Sequence, residues 1–177
     1  MSSTLNPTKL QYATALYIER MRSILLIDHG SVREEANHML VCMANLLQHM
    51  VGDDVLVNFA HMELAEPSIA QGFAACVRDG ATDIVCFPYM LSPGKHSTRD
   101  IPRMVAEAAA EFPHVSYRVT EAFGMSALLA EVVARRAGVE IVNSVADGAC
   151  HCWEPLGHVG NCGAACTGRI ATSTEAA

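Results

Sequence analysis

The chain has 177 residues, of which 51% are hydrophobic and 18% are charged, and its formal net charge is −7. This length fits one domain with terminal extensions, and no apolar run reaches the roughly 18 residues that a membrane-spanning helix needs. Because the lysines and arginines are scattered along an acidic chain, neither a nucleic acid nor a membrane surface is an expected partner.

The amino-terminal arm, residues 1–22, has neither the apolar stretch of a secretory signal nor the many arginines of an organellar presequence. We therefore expect a cytoplasmic protein. Three of the cysteines, Cys42, Cys76 and Cys86, lie in apolar segments, where a thiol is expected to pack as a small hydrophobic group. A framework of disulfides is not expected.

From residue 23 onward, short apolar runs rich in β-forming residues alternate with longer amphipathic stretches. This alternation is typical of βαβ units and predicts an α/β domain with a parallel sheet over residues 23–143. The predicted strands are 23–28, 55–61, 83–89 and 115–121. The predicted helices are 34–50, a second with Pro67 in its first turn, a third near 101–111 and a fourth at 126–138.

A doubly wound sheet places its first and third strands side by side, and ligands bind there, off the carboxyl ends of the strands. His29 directly follows the first strand, and His96 lies in the long loop after the third. Neutral imidazole is a good ligand for divalent iron, cobalt or nickel, and two imidazoles leave coordination positions open. These two histidines are therefore the candidate metal ligands, although an arbitrary histidine is more often structural.

Two glutamates, Glu63 and Glu66, follow the second strand and are expected beside His29. A carboxylate there could accept the protons that ring nitrogens lose, and Glu66 is the predicted catalytic carboxylate. Alternatively, Glu66 only favours the positive end of the following helix. His61, which opens the same segment, is a further candidate to touch the site.

The loop around His96 carries Lys95, Arg99 and Arg103, a basic cluster on an acidic protein. A polycarboxylate substrate would be attracted to such a cluster. The alternative is that these residues are ordinary solvated loop charges.

The last segment, residues 144–177, is rich in Gly, Cys, Ala and Thr and has no helical or strand period. We predict an irregular carboxy-terminal tail. Its four thiols would suit an iron–sulfur cluster or a zinc ion, and belong to Cys150, Cys152, Cys162 and Cys166. The alternative is an unstructured tail with free or oxidised thiols.

Three segments, LLIDHGS (25–31), AHMELAEPSI (60–69) and PYMLSPGKHSTRDIP (88–102), resemble the short class II chelatases of the SirB and CbiX type, and in particular the plant-type sirohydrochlorin ferrochelatases. The resemblance implies a flavodoxin-like, class II chelatase fold with a four-stranded sheet. This unit is half of a two-lobed chelatase, so that short members pair as homodimers around the tetrapyrrole.

The same resemblance implies that His29 and His96 hold the metal during catalysis and that the tail cysteines bind a [2Fe–2S] cluster. Many members have Arg directly after HGS, where this chain has Val32. The residues expected to contact the substrate here are Ser31, Arg33, Lys95 and Arg99.

The function that follows is insertion of a divalent metal into sirohydrochlorin. ATP is not expected to take part, because the sequence has no G-x-x-x-x-G-K-[ST] loop. The plant-like motifs favour Fe²⁺ and sirohaem, and Co²⁺ insertion for cobalamin is the alternative. The alternative that is not an enzyme is a non-catalytic iron–sulfur or metal carrier.

Overall fold

The computed structural model of the chain describes residues 21–143. The amino-terminal arm, residues 1–20, and the tail with Cys150, Cys152, Cys162 and Cys166 lie outside the described residues. Within residues 21–143, no helix has both the length and the apolar character that crossing a membrane requires.

Strands and helices alternate along the described chain, as the sequence predicts. Their order is β1 (Arg22–Asp28), α1 (Glu34–Val51), β2 (Val55–His61), α2 (Ile69–Arg78), β3 (Asp83–Pro88), α3 (Ile101–Ala109), β4 (Ser116–Val119) and α4 (Ala127–Ala137). A single π-helical turn, His96–Asp100, leads directly into α3.

The four strands form one parallel sheet in the order β2-β1-β3-β4. β1 therefore lies between β2 and β3, and the winding reverses at the β1–β3 pair, as predicted. In the register of the sheet, Asp28 at the end of β1 faces His61 at the end of β2, and Ile27 faces Pro88 of β3. The segments that follow these three strands start from the same edge.

The sheet is covered unequally on its two faces. On one face, α2 and α3 pack against the strands in a core that includes the fully buried Phe73 and Val105. On the other face, α1 covers a smaller cluster with Leu40 and Ala44 among its buried residues. α4 contributes no buried residue.

Several boundaries differ from the sequence prediction, most of them by one or two residues. α2 begins at Ile69, because Ser68 caps it through a reciprocal capping box with Gln71, so that Pro67 precedes the helix instead of occupying its first turn. The third strand ends at Pro88, one residue early. β4 is shorter than the predicted 115–121, and at its start the N–H of Val115 bonds to the carbonyl of Phe112 in a turn before the strand.

The cysteines of the domain divide into two kinds. Burial raises the pKa of Cys76 to about 11 and that of Cys86 to about 12, so both thiols stay protonated and pack as hydrophobic groups. Cys42 is exposed on α1, so the prediction that it packs inside was wrong.

Gly72 allows α2 to approach the sheet closely. A Cβ atom at this position would lie 2.8 Å from Cβ of Ala60 and 3.0 Å from both Cδ1 of Leu25 and the carbonyl oxygen of Phe59. The Cβ atom of Ala60 and the backbone oxygen of Phe59 have little freedom to move.

We expect Gly72→Ala to destabilise the fold by about 1–2 kcal/mol, since overpacking costs roughly 1–3 kcal/mol and alanine regains up to about 1 kcal/mol of helix propensity. Chemical denaturation monitored by circular dichroism measures the change. The matched control is Gly94→Ala, because a Cβ there meets no atom within 4 Å. Equal stability of the two variants would contradict the close-packing argument.

Candidate functional site

The pairing of β1 with β2 continues beyond the ends of both strands. The N–H of Met62 donates to the carbonyl of Asp28 at 2.9 Å, and the N–H of Glu63 donates to the carbonyl of His29 at 3.1 Å. His29 and Glu63 are therefore held as neighbours by the backbone, before any side-chain contact is considered.

The His29 ring is held through both of its nitrogens. Nδ1 lies 3.1 Å from the carbonyl oxygen of Gly30, and Nε2 lies 2.8 Å from Oε1 of Glu63. A carbonyl only accepts, so Nδ1 carries a proton and Nε2 faces the carboxylate. A cation that binds Nε2 has to take the place of this contact with Glu63.

Gly30 makes the close approach of these two segments feasible. Its φ is +80°, and a Cβ atom there would lie 1.9 Å from the carbonyl oxygen of Glu63. Any other residue would force the turn after β1 away from the segment after β2.

His96 comes from the π-helical turn at the start of the α3 segment. Its Nδ1 lies 3.0 Å from Oδ2 of Asp100, and Thr98 ties the turn to Gly94 through its backbone N–H at 2.9 Å. π-helical turns occur frequently at functional sites. With Nδ1 engaged by Asp100, Nε2 is the nitrogen of His96 that remains for a ligand.

Asp100 is kept ionised by its neighbours. Burial alone would raise its pKa, but hydrogen bonds from Arg99 and His96, with the positive charges of Arg99 and Lys95, hold the pKa below its usual value. A carboxylate is therefore available at neutral pH to accept the Nδ1–H of His96.

The structure brings the two predicted metal ligands together. The ring centroids of His29 and His96 are 5.3 Å apart with an interplanar angle of 72°. This separation suits one shared ion, because an imidazole nitrogen binds a metal of this size at about 2 Å. The side chains are 43% and 48% exposed, so solvent, an ion or a larger substrate can reach them.

The coordination sphere at this edge is incomplete. Within residues 21–143, no group of three or more His, Cys, Asp or Glu side chains is arranged to hold a metal ion. Two imidazoles with a carboxylate beside one of them can hold a cation while leaving it open to other ligands.

The two predicted glutamates occupy different surroundings. Glu63 contacts His29, whereas Glu66 accepts a hydrogen bond from the N–H of Ser68 at 2.9 Å. Glu63 is thus the one of these two glutamates with a side-chain contact to His29. Between them, Leu64 adopts a left-handed conformation with φ of 66°. The catalytic role expected for Glu66 stays a prediction.

Glu66 instead lines a groove of about 780 Å³ beside the start of α1. Apolar side chains of Val32 and Leu64 and the carboxylates of Glu34 and Glu35 share this groove. Neither His29 nor His96 is among its lining residues.

The residues predicted to contact the substrate, and Arg103 of the predicted basic cluster, differ in the partners that their side chains already have. Arg99 is paired with Asp100 at 3.1 Å, and Arg103 is paired with Glu107. Lys95 is exposed and forms no ion pair within the described range. The hydroxyl of Ser31 accepts from the N–H of Arg33 at 3.1 Å in the turn before α1. Their contacts with a substrate stay predictions.

Two aspartates that the sequence analysis did not single out support the site, and His61, the further candidate, is buried against one of them. Asp100 orients His96, and Asp28 bonds to the buried ring of His61 at 2.6 Å. Asp28 and His61 are the last residues of the first two predicted strands, which places them at one edge of the sheet, but their pairing also requires the strand register. The spacing of four residues between His96 and Asp100 is a sequence signal for the other pair.

Comparisons with known proteins find relatives over most of the described domain. Residues 23–139 match the CbiX family. The chloroplastic sirohydrochlorin ferrochelatase of Arabidopsis thaliana is 44% identical over 110 residues, covering 62% of this chain and 48% of that protein. The sirohydrochlorin cobaltochelatase of Priestia megaterium is 32% identical over 116 residues, covering 66% of this chain and 37% of that protein.

A solved structure shows the same fold. The sirohydrochlorin chelatase SirB from Bacillus subtilis subspecies spizizenii, in complex with cobalt, superposes with a TM-score of 0.62 at 29% sequence identity, covering 66% of this chain and 50% of that chain. The chain thus spans about half the length of these relatives or less. With the family match extending over nearly all of the described domain, the chain belongs to the CbiX family.

Proposed function

We propose that this chain inserts a divalent metal ion into sirohydrochlorin and that His29 and His96 hold the ion, which is a substrate of the reaction. The observation that carries the proposal is the pair of imidazole rings with centroids 5.3 Å apart at the open edge of the sheet. The names of the relatives supply the tetrapyrrole.

The proposed reaction exchanges ligands around the ion and needs no ATP. The ion first takes the place of the contact between Nε2 of His29 and the Glu63 carboxylate. The macrocycle then settles over the edge, with its carboxylates near Lys95, and its four nitrogens displace the two imidazoles. Each metal inserted releases two N–H protons from the macrocycle, so the site needs a proton acceptor.

We assign that acceptor role first to Glu63. Its carboxylate lies 2.8 Å from the nitrogen of His29 that the ion occupies, and it is 53% exposed, so that it can pass a proton to solvent. Glu66 is the alternative acceptor, and it already accepts the N–H of Ser68 at the start of α2.

Iron is the favoured metal, and cobalt is the alternative. The Arabidopsis relative, at 44% identity, is named a ferrochelatase, whereas the Priestia relative is named a cobaltochelatase and the Bacillus structure contains cobalt. Imidazole nitrogen accepts both ions, so the histidine pair does not discriminate between them.

We further propose that the protein acts as a homodimer. The matched segment of this chain covers about half of each of the first relatives, which supports one copy supplying one of two lobes. α4 offers a surface for pairing, because it contributes no buried residue and exposes Leu128 and Val132 one helical turn apart.

Two further expectations concern parts of the chain outside the described residues. A [2Fe–2S] cluster or a zinc ion on the four tail cysteines stays a prediction. A cytoplasmic location also stays a prediction, and the Arabidopsis relative is named as chloroplastic.

Substitution of either candidate ligand tests the function. We expect His29→Ala and His96→Ala each to lower the rate of metal insertion by more than about 100-fold, since even outer-shell substitutions cost roughly 10–100-fold. Anaerobic absorbance time courses with sirohydrochlorin and Fe²⁺ or Co²⁺ measure the rate. His49→Ala, at the exposed end of α1, is the control. Undiminished insertion in both ligand variants would rule out the histidine pair, and absence of insertion by the native protein would favour a carrier.

The two glutamates provide a matched pair of variants. We expect Glu63→Gln to reduce kcat by about 100-fold or more, the usual contribution of a positioned acid–base group. Glu66→Gln should leave kcat close to the native value, because an amide oxygen can still accept from Ser68. The reverse order of the two effects would return the proton-acceptor role to Glu66.

Charged substitutions on α4 test the proposed homodimer. We expect the double substitution Leu128→Glu and Val132→Glu to convert the protein to monomers, because it places like charges at the centre of the paired surface. Light scattering during size-exclusion chromatography gives the mass. Met50→Glu, on the exposed end of α1, is the control. A variant that remains dimeric would exclude α4 from the interface.

A further inference from the structure

A buried histidine–aspartate pair lies directly behind the candidate site. His61 is only 1% exposed, and its Nδ1 is 2.6 Å from Oδ1 of Asp28. The proposed metal chemistry uses neither residue. A buried imidazole is costly unless it is hydrogen-bonded, and an apolar residue at the end of β2 would need no partner. The pair therefore calls for an explanation beyond packing.

The oxygen that binds His61 also binds the turn that carries His29. Oδ1 of Asp28 accepts the backbone N–H of Gly30 at 2.9 Å. The carbonyl of Gly30 in turn lies 3.1 Å from Nδ1 of His29. A series of hydrogen bonds thus runs from the buried imidazole, through the aspartate and the glycine, to the ring of the candidate metal ligand.

This series of hydrogen bonds determines which ring nitrogen of His29 is available to a cation. The Gly30 carbonyl can only accept, so it keeps the proton on Nδ1 and leaves Nε2 for a cation. The direction of that carbonyl depends on the left-handed turn at Gly30, which Asp28 anchors. Asp28 itself is 23% exposed and could rotate towards solvent without its partner. His61 supplies the buried contact that holds it.

We propose that His61 and Asp28 are positioning residues that, through Gly30, fix the tautomer and the direction of the His29 ring at which the divalent cation binds. The inference rests on the proposed function, because it assigns these residues to the metal substrate of that reaction. Outer partners of metal-binding histidines commonly have this role, and their loss typically costs about 10–100-fold in metal affinity or activity.

The test compares two substitutions of His61 in the full-length protein under anaerobic conditions. His61→Leu removes the donor and keeps an apolar side chain of similar bulk. His61→Asn keeps an N–H donor close to the position of Nδ1. Ile84→Val, which removes one buried methyl group from β3, is the control for lost stability. Co²⁺ titration followed by visible absorption gives affinity and ligand field, and His29→Ala defines the part of the signal that belongs to the site.

We expect His61→Leu to weaken the His29-dependent Co²⁺ binding about 10–100-fold and to raise the KM for the metal, with the KM for sirohydrochlorin unchanged. His61→Asn should restore most of the affinity, and Ile84→Val should retain all of it. A purely structural histidine would lower stability without this split between the two KM values or this rescue.

The outcomes separate the inference from the function on which it rests. Native Co²⁺ affinity and spectrum in His61→Leu, with both lost in His29→Ala, would overturn the positioning role and leave the function intact. Native Co²⁺ binding in His29→Ala as well would refute the function. If His61→Leu fails to fold, Asp28→Ala decides, because it removes the oxygen that accepts from both Gly30 and His61, and unchanged affinity there would overturn the inference.

Discussion

The continuation of the β1–β2 ladder beyond the ends of the strands is the interaction on which the site depends. Two backbone hydrogen bonds, from Met62 to Asp28 and from Glu63 to His29, carry the pairing into the connecting segments. They place the Glu63 carboxylate against the His29 ring before either side chain contributes any affinity of its own. Gly30 is required at this point, because a side chain there would overlap the carbonyl of Glu63.

The second histidine reaches the same place by a different route. β3 lies on the other side of β1, and the segment that follows it folds into the π-helical turn that carries His96. One ligand is thus set by a strand end and the other by a helical turn. Each ring has its Nδ1 tied to an acceptor, a carbonyl for His29 and a carboxylate for His96. Both rings therefore present Nε2, and neither has to reorganise its tautomer when an ion arrives.

The sequence was sufficient to predict the order of the elements, the parallel sheet and the two histidines at its edge, because these follow from hydrophobic periodicity and from the rule for doubly wound sheets. It could not distinguish Glu63 from Glu66, since the contact of Glu63 with His29 follows from backbone pairing that continues beyond the strand ends. It also missed Asp28 and His61 as a pair. Their contact requires the exact strand register as well as two compatible rotamers, and neither quantity is encoded in a local pattern.

The two faces of the sheet are covered unequally. The site can therefore be held rigidly and still be open to solvent. α2 and α3 pack tightly on one face, where Gly72 brings the helix against the strands and where the largest buried side chains lie. That face gives the strand ends, and hence His29 and Glu63, a fixed geometry. The other face carries the smaller cluster under α1, and α4 has no buried residue in the described domain. The proposed metal insertion needs an approach through which a macrocycle can enter and leave. The half-exposed rings of His29 and His96, next to a rigidly packed core, meet both requirements.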